Sequence, residues 1–493
     1  MKRIALPMIA LLWAGTARVQ ADVRPNPLFQ NGMVLQRDAK VPVWGTAAPG
    51  EKIEVHFLDQ IKKSTAGADG NWRVDLDNLK AGGPYEMSIK GANTLKFKDV
   101  LVGEVWVCAG QSNMGFKVSE ASNAEVEIAA ANYPQIRWYE PAKAANRGAQ
   151  WVSCSPAAIP GFSAVAYFYA RELHKTLNVP VGLFLSKSGG TWAEAWIPLS
   201  AARANPALKR DVADWDQRVK QSAKTAKKAA PADQDKKAFG RIYADTIAPL
   251  IPYAIRGAIW DQGEANGQRG FPQLYGDLLQ TLIGVWRSAW GQGDFPFYAV
   301  QLQYNLPLET QPSQPDGWVF VREGMRRALA IPNTGMAVTV DIGVDDNMHP
   351  KEKQLVGKRL ALWALAKTYG KDIVYSGPLY KSMRIDGGNA ILSFDCVGGG
   401  LMAKGGGALK GFAVAGKDGK CVWADARIVD HTISVSSAEV AEPSEVRYDW
   451  ARHPFGNLVN KEGLPASPFK TSAFPDAEEE KLAAGLRFGR ASD

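Results

Sequence analysis

The order of apolar and polar stretches divides the chain into three regions with different periods. Residues 22–98 contain short alternating strands separated by turns, for example at 41–45 and 72–76, which is the spacing of a small β-sandwich. Residues 99–370 alternate continuous apolar runs with helical stretches, and residues 371–480 return to short strands and glycine-rich turns. The pattern predicts a central α/β domain between two β-rich modules, with a tail at 481–493.

The middle region has the pattern of a parallel sheet covered by helices on both faces, because repeated β-α units pack in that way. The predicted strands are 101–109, 181–186, 254–260, 295–303 and 336–342, and the predicted helices are 163–177, 241–252, 271–290, 318–330 and 351–370. The basic stretch from Lys220 to Lys237 lies in a segment of about 205–240. We interpret this segment as an exposed helical insertion.

Length, charge and the first residues limit the possible classes of protein. A chain of 493 residues is too long for a single core. The net charge is +8, but no Lys/Arg cluster alternates with aromatic residues, so we expect no nucleic-acid partner. Lys2 and Arg3, the apolar run 4–14 and the small residues around Ala21 predict a signal peptide at 1–21. We therefore expect an exported protein, periplasmic or extracellular, without membrane insertion.

The four cysteines show no C-x-x-C spacing, so the sequence predicts no zinc site and no other metal. Cys396 and Cys421 lie in neighbouring strand-like stretches and could form a disulfide, which export permits. Cys108 lies inside an apolar run and is expected to be a buried thiol. The sequence leaves the pairing open.

Polar loops follow three of the predicted strands, where open α/β sheets place their chemistry. Gly110 ends the apolar run 105–109, and Ser112 stands on the turn behind it. The loop 260–266 follows another buried strand, and the loop 346–350 follows the last one. A serine at such a turn can act as a nucleophile when a base lies nearby. The three loops therefore predict one composite site.

The base can be chosen from only five histidines, and of these only His349 lies at the carboxyl end of a predicted parallel strand. Ester hydrolysis by serine needs a base, a group that orients the base and donors for the oxyanion. We predict Ser112 as the nucleophile, His349 as its base and Asp346 as the orienting carboxylate. The spacing Asp346-x-x-His349 is also typical of the start of a helix from Lys351.

Donors for the oxyanion have three candidate sources. The backbone N–H of Ser112 is one, and the N–H of Gly190 in the loop 188–191 is another. The side-chain amides of Gln262 and Asn266 are the third source.

Three further side chains are candidates for contact with the substrate, namely Gln111, Trp192 and Glu264. Glu264 can instead be a buried carboxylate that braces its loop, which we favour over a role in proton transfer. Trp192 can equally pack in the core or stack on a sugar.

Taken together, these segments resemble bacterial sialate O-acetylesterase-type proteins, a branch of the SGNH-hydrolase carbohydrate esterases. The specific matches are Gly-Gln-Ser-Asn-Met at 110–114 and Gln-Gly-Glu at 262–264. The other matching segments are 105–109, 188–196, 260–261, 348–350 and 356–360, with the less specific flanks 28–45 and 447–469. The resemblance covers nearly the whole chain after the signal peptide.

The resemblance implies a flavodoxin-like, three-layer α/β SGNH-hydrolase domain flanked by β-sandwich-like modules. It also implies serine-dependent removal of O-acetyl groups from sugars, with no cofactor and no obligate protein partner. Many relatives carry an acid two residues before the histidine, where this chain has Asn347. Asp345, or a Ser–His dyad without an acid, is therefore an alternative to Asp346.

Two substrate classes and one non-catalytic alternative stay open. Members of the family act on O-acetylated sialic acids or on acetylated plant hemicelluloses such as xylan and xyloglucan. A carbohydrate-binding protein with an inactive esterase core is the alternative of a different class. The presence of Ser112, His349, Gln262 and a nearby aspartate argues against it.

Overall fold

The computed structural model describes residues 22–141, 148–225, 237–268, 271–308, 310–313 and 315–486. The predicted signal peptide and part of the predicted insertion, 226–236, lie outside the described residues. No helix in the described part of the chain is both long and apolar enough to cross a bilayer.

The amino-terminal module consists of short strands in two layers that share a core. Its first seven strands are β1 (Arg24–Pro25), β2 (Val34–Gln36), β3 (Val41–Thr46), β4 (Lys52–Phe57), β5 (Gln60–Thr65), β6 (Asn71–Leu76) and β7 (Gly82–Lys90). One layer has the order β1-β3-β6, and in the other β4 pairs with β5 and β7. Inward residues from both layers, such as Val43 and Val55, belong to one apolar cluster, as expected of a sandwich.

The strand β8 (Thr94–Gly110) joins this module to the central domain. Its first half pairs antiparallel with β7 and its middle pairs parallel with β2. Its second half is the central strand of the parallel sheet. The boundary predicted between residues 98 and 99 therefore falls inside one continuous strand of 17 residues, and the two regions share a sheet.

The central sheet has the order β10-β9-β11-β8-β12-β13-β14. The added strands are β9 (Tyr133–Tyr139), β10 (Val152–Cys154), β11 (Val181–Lys187), β12 (Gly257–Asp261), β13 (Phe297–Val300) and β14 (Thr334–Ala337). All neighbours are parallel except the edge pair β9 and β10. The chain moves from β11 on one side of β8 to β12 on the other, and a crevice forms at such a switch point.

Helices cover both faces of this sheet. They are α1 (Ala124–Ala129), α2 (Ala164–Leu177), α3 (Leu199–Ala204), α4 (Lys209–Thr225), α5 (Glu264–Gln268), α6 (Tyr275–Trp290), α7 (Gly317–Arg327) and α8 (Gln354–Trp363). Short 3-10 or π turns lie at Val118–Glu120, Ile159–Gly161, Ala193–Trp196, Pro206–Leu208, Tyr243–Ile247, Ala248–Leu250, Pro272–Leu274, Ala328–Ala330 and Ala364–Thr368. The predicted helix 241–252 is thus a pair of short turns.

The pleat of β8 shows how the two faces are filled, because successive side chains point to opposite sides. Val105 and Val107 belong to the apolar cluster that contains residues of α6 and α7. Trp106 and Cys108 belong to the cluster formed with α2 and α8. The central domain is therefore a three-layer α/β/α arrangement, as predicted.

The carboxyl-terminal module is again built from short antiparallel strands. They are β15 (Leu379–Asp386), β16 (Asn389–Asp395), β17 (Leu401–Ala403), β18 (Phe412–Ala415), β19 (Cys421–Trp423), β20 (Asp425–Val429), β21 (Thr432–Ser436), β22 (Glu445–Tyr448), β23 (Leu458–Asn460) and β24 (Phe469–Lys470), followed by α9 (Ala477–Leu486). Two four-stranded sheets, β15-β16-β21-β20 and β19-β18-β22-β24, enclose one core.

One of the expectations about the cysteines, a disulfide between Cys396 and Cys421, is wrong. All four are free thiols, so Cys396 and Cys421 do not form the disulfide that the sequence allowed. Cys396 follows β16 of one sheet, whereas Cys421 begins β19 of the other. Cys108 is fully buried in β8, and burial raises the pKa of its thiol.

Candidate active site

Ser112 stands on a sharp turn at the end of β8, and Gly110 makes that turn possible. Gly110 has φ +151°, and a Cβ added there would lie 2.1 Å from the carbonyl oxygen of Asp261 on β12. Only glycine allows both the backbone angle and this close approach. The backbone N–H of Gln111 then donates to the same carbonyl oxygen at 3.0 Å, which fixes the turn against the neighbouring strand.

Ser112 and His349 meet at this edge of the sheet although 237 positions separate them. The distance between His349 Nε2 and Ser112 Oγ is 2.8 Å, within hydrogen-bond reach of a base and its nucleophile. The backbone N–H of His349 donates to Asn347 Oδ1 at 2.8 Å. The structure thus brings together the two residues that the sequence selected.

The environment of His349 favours its neutral form. Burial lowers the pKa of His349 below the ordinary value of 6.5, because the imidazolium loses hydration. Glu264 and Glu120 raise this pKa, while Lys353 lowers it, and the net direction is downward. A neutral imidazole can accept the hydroxyl proton of Ser112, so this shift keeps the base available at mildly acidic pH.

The glycine loop after β11 lies beside Ser112, as predicted. A Cβ added at Gly189 would lie 3.7 Å from Ser112 Cβ. Gly190 is exposed, has φ +66° and would have no heavy atom within 4 Å of an added Cβ. Backbone of this loop is therefore open to a ligand bound at Ser112.

Gln262 does not have the position that the sequence suggested for an oxyanion donor. Its side chain is fully buried, and its Nε2 lies within hydrogen-bond distance of Asn266 Oδ1 at 2.7 Å, Thr191 O at 3.1 Å and Gln111 Oε1 at 3.3 Å. Its Oε1 accepts from the hydroxyl of Tyr275 at 2.9 Å. Gln262 connects three loops, and its amide hydrogens are already used.

Asn266 likewise acts as an internal brace. Its Nδ2 donates to Glu194 Oε2 at 2.9 Å, and its Oδ1 accepts from the backbone N–H of Ala193 at 3.0 Å. With 4% of its surface exposed, it ties α5 to the turn Ala193–Trp196. The prediction of a side-chain oxyanion donor from this loop is therefore corrected for both amides.

The candidates for substrate contact are also directed inward. Gln111 donates to Glu264 Oε2 at 2.6 Å, and both side chains are buried. Glu264 further accepts from Asn113 and, at 3.5 Å, from Gln303. Gln111 and Glu264 are braces below the nucleophile turn and do not face a substrate, which agrees with the alternative interpretation of Glu264.

Trp192 is 8% exposed and lies under two cationic side chains. The guanidinium carbon of Arg218 on α4 lies 4.7 Å from its ring centroid, and Lys237 Nζ lies 5.5 Å away. Cations at this distance are attracted to the face of an indole ring. Trp192 therefore anchors the insertion and is not an open platform for a sugar ring.

Within the described ranges, the predicted orienting carboxylate makes no hydrogen bond or ion pair with the histidine and is not among the groups that act on its pKa. Asp346 is exposed and has a left-handed backbone with φ 56°. Asp345 points to the carboxyl-terminal module, where Asp345 Oδ1 lies 3.3 Å from His453 Nδ1. In this geometry Ser112 and His349 approach each other without a hydrogen bond from Asp345 or Asp346 to the imidazole.

Three buried residues of the site were not predicted from the sequence. Asn113 donates to the carbonyl oxygen of Met348 at 2.9 Å, and Gln303 donates to the same oxygen at 2.9 Å. Lys353 Nζ donates to Asn113 Oδ1 at 2.7 Å. Asn113 was visible as the neighbour of Ser112, and Lys353 stands four residues after His349, but their partners are distant in the chain.

Over the ranges that the structure describes, no three His, Cys, Asp or Glu side chains cluster in a way that could hold a metal ion.

Comparison with known families matches residues 102–366 to a family described as a carbohydrate esterase, sialic acid-specific acetylesterase. The matched segment begins in β8 and ends after α8. It therefore contains the whole parallel sheet together with Ser112 and His349.

Individual relatives agree with this match. The chain is 30% identical to the sialate O-acetylesterase of Homo sapiens over 428 residues, covering 78% of this chain and 77% of that one. It is 30% identical to the Mus musculus sialate O-acetylesterase over 430 residues, 74% of this chain and 77% of that one. A carbohydrate acetylesterase structure from Xanthomonas citri has 35% identity and a TM-score of 0.82, covering 92% of this chain and 100% of that one.

Proposed function

Because the chain belongs to the sialic acid-specific acetylesterase family of carbohydrate esterases, we propose that it removes O-acetyl groups from O-acetylated sialic acids through an acetyl-enzyme on Ser112. The protein is a sialate O-acetylesterase-like carbohydrate esterase. The single observation that carries the mechanism is the 2.8 Å distance between His349 Nε2 and Ser112 Oγ at the switch point of the sheet.

In the first half of the reaction, Ser112 Oγ attacks the carbonyl carbon of the acetyl ester while His349 Nε2 takes the hydroxyl proton. The tetrahedral intermediate then collapses, and the bond between the acetyl carbon and the sugar oxygen breaks. The imidazolium of His349 gives its proton to that oxygen, so the sugar leaves as an alcohol. The acetyl group stays on Ser112 as an ester.

In the second half, a water molecule takes the place of the sugar alcohol. His349 accepts a proton from the water as its oxygen attacks the acetyl carbon. Collapse of this second intermediate breaks the bond to Ser112 Oγ, which recovers its proton from His349. Acetate leaves, and the enzyme returns to its starting state.

We assign stabilisation of the oxyanion to backbone N–H groups. The backbone N–H of Ser112 and that of Gly190 are the proposed donors, supported by the nearness of the glycine loop to Ser112. The amides of Gln262 and Asn266 serve by fixing these loops, since their hydrogens are engaged elsewhere. Preorganised donors of this kind cost no reorganisation during the reaction.

Replacement of the two reacting residues tests the mechanism. Ser112→Ala and His349→Ala should each lower kcat for p-nitrophenyl acetate by about 10⁴-fold or more. Ser382→Ala and His431→Ala change exposed residues of the carboxyl-terminal module and serve as matched controls. A folded Ser112→Ala protein that still releases acetate at the wild-type rate contradicts the acetyl-enzyme.

The substrate class requires a separate experiment. Release of acetate should be compared on O-acetylated sialoglycan, acetylated xylan and acetylated xyloglucan at equal ester concentration. We expect the highest kcat/KM on the sialoglycan, because the curated relatives are sialate O-acetylesterases. A higher kcat/KM on either plant polymer would leave the esterase mechanism in place and would identify hemicellulose as the substrate class.

Export is proposed from the amino-terminal sequence. Residues 1–21 have the charged start, apolar run and small-residue cleavage site of a signal peptide. Expression in a bacterial host should give a periplasmic or extracellular protein whose first residue is Asp22. Recovery of uncleaved protein in the cytoplasm would contradict this proposal.

A further inference from the structure

Three ionisable side chains are buried together behind the nucleophile turn. Asp261 ends β12, Glu264 begins α5 and Lys353 precedes α8. Their exposed fractions are 2%, 1% and 2%. A buried charge is costly unless it is paired and hydrogen-bonded. Two carboxylates and one ammonium group at this depth therefore need an explanation.

The ammonium group of Lys353 lies at the end of a series of hydrogen bonds. Lys353 Nζ donates to Asn113 Oδ1 at 2.7 Å, which turns the Asn113 amide nitrogen toward two acceptors. That nitrogen donates to Glu264 Oε1 and, at 2.9 Å, to the carbonyl oxygen of Met348.

These hydrogen bonds connect the turn that carries Ser112 to the loop that carries His349. Asn113 is the residue after Ser112, and Met348 is the residue before His349. A single amide thus connects the nucleophile turn to the histidine loop. Its orientation depends on a donor at Oδ1, because an unanchored amide could turn over and present its oxygen to Met348 O.

We propose that Lys353 is a positioning residue for the Ser112–His349 pair: its ammonium group holds Asn113 in the orientation that ties the two loops together, and its charge balances the buried carboxylates. This inference rests on the proposed function and assigns a role that the mechanism above does not use. Lys353 contacts neither of the reacting atoms, so it acts through Asn113.

The charges around His349 give this positioning role a measurable effect on the pH dependence of activity. The charged groups that act on His349 are Glu264 from α5, Lys353 before α8 and Glu120 of the turn Val118–Glu120. Glu264 and Glu120 raise the pKa of His349, whereas Lys353 lowers it. Asp261 and Glu264 in turn raise the pKa of Lys353, although burial is the larger influence and lowers it.

The direction of the effect on activity follows from these signs. His349 must be neutral to accept a proton, so the rate falls as the pH drops through its pKa. Removal of the Lys353 charge raises that pKa. The acid limb of the pH profile then moves to higher pH, a shift that a purely structural loss would not produce.

The test compares Lys353→Met with Lys351→Met in the full-length protein. Lys351 is exposed two residues earlier on the same loop, and it contributes a backbone carbonyl contact to Ser122. With p-nitrophenyl acetate, Lys353→Met should lower kcat by about 10- to 100-fold with a smaller change in KM, as expected for misplaced reacting groups. The acid limb of the kcat–pH profile of Lys353→Met should lie at higher pH than that of the wild type.

Two outcomes would overturn the inference. One is a folded Lys353→Met protein whose kcat and acid limb match those of Lys351→Met. The other is a lowered kcat with an unmoved acid limb, which would indicate structural damage alone. Ser112→Ala in the same assay separates this failure from failure of the proposed function, because an active Ser112→Ala enzyme contradicts the mechanism itself.

A second variant keeps the test decisive if Lys353→Met does not fold. The double variant Asp261→Asn with Lys353→Met removes the buried ammonium group together with one of the two buried acidic side chains that act on it, so fewer ionisable groups remain unpaired in the interior. Asp261 is not among the groups that shift the pKa of His349. The double variant should therefore show the same loss of kcat and the same movement of the acid limb, and a wild-type profile would overturn the inference.

Discussion

The polar side chains around Ser112 divide into the two that are proposed to react and those that hold these two in place. Ser112 and His349 face each other across 2.8 Å, while Gln111, Gln262 and Asn266 bond to other buried groups. A satisfied buried network is rigid, because breaking any of its bonds leaves an unpaired group. The site is thus preorganised by residues that have no part in the chemistry.

At the same scale, the aspartates before His349 can be tested directly. Asp346→Asn should lower kcat by no more than about threefold, because the side chain is exposed and is not among the charged groups that act on His349. Asp345→Asn changes the carboxylate whose Oδ1 lies 3.3 Å from His453 Nδ1 and should change the free energy of unfolding by less than about 1 kcal/mol. Steady-state kinetics with p-nitrophenyl acetate gives the comparison, with His349→Ala as reference. A loss of several orders of magnitude in either aspartate variant would restore a Ser–His–Asp triad.

Among the elements, α2 and α8 pack closely enough that one position on α8 has no room for a side chain. A Cβ added at Gly357 would lie 2.6 Å from Phe168 Cβ and 2.7 Å from the backbone nitrogen of Tyr169. This contact places α8, and so the loop with His349 that precedes it, against the sheet. Helix packing therefore contributes to the position of the base.

A pair of glycine replacements measures this contact. Gly357→Ala should lower the free energy of unfolding by about 1–3 kcal/mol, because overpacking forces the helices apart. Gly284→Ala on α6 meets no heavy atom within 4 Å and should raise that free energy by about 0.5–1 kcal/mol through helix propensity. Urea unfolding followed by circular dichroism gives both values. Equal effects of the two changes would show that the packing of α2 on α8 is not tight.

On the scale of the whole molecule, the carboxyl-terminal module supports the loops of the active site. Its His453 stacks on Tyr304, with ring centroids 3.9 Å apart, and His453 Nδ1 lies 3.3 Å from Asp345 Oδ1 of the histidine loop. Arg322 of α7 donates to the carbonyl oxygens of Ala451 at 2.8 Å and Arg452 at 2.9 Å. The module is therefore attached at the carboxyl edge of the sheet, next to the reacting pair.

Replacement of Arg322 tests this attachment. The side chain also donates to the carbonyl oxygens of Leu302 and Gln303. Gln303 O keeps a second donor in Trp318 Nε1, so Arg322→Met leaves three acceptors, the carbonyl oxygens of Leu302, Ala451 and Arg452, without this donor. At about 1–3 kcal/mol for each unsatisfied group, the free energy of unfolding should fall by at least about 3 kcal/mol. Arg384→Met removes only an exposed pair with Asp386 and should stay within about 1 kcal/mol. Guanidinium unfolding distinguishes the two, and similar midpoints would contradict a supporting role for Arg322.

The sequence alone indicated the three regions, five of the seven strands of the central sheet and the two residues proposed to react. Apolar runs fill both faces of a parallel strand, and the carboxyl ends of such strands meet at one edge. The pattern therefore predicts Ser112 and His349 at the same edge of the sheet. The strand β9, which lies between the edge strand β10 and β11, was missed because Pro134 and Gln135 interrupt its apolar pattern.

The tertiary structure alone decided the partners of the polar groups. Gln262 meets Gln111 across 151 positions, and Lys353 meets Asn113 across 240, so no local pattern could show that these side chains are engaged. The same holds for Asp345, which turns to His453 of another module, and for Cys396 and Cys421, which lie in different sheets. Periodicity reports which face of an element is buried, whereas a hydrogen-bond partner depends on how the elements pack, and packing is a property of the folded chain.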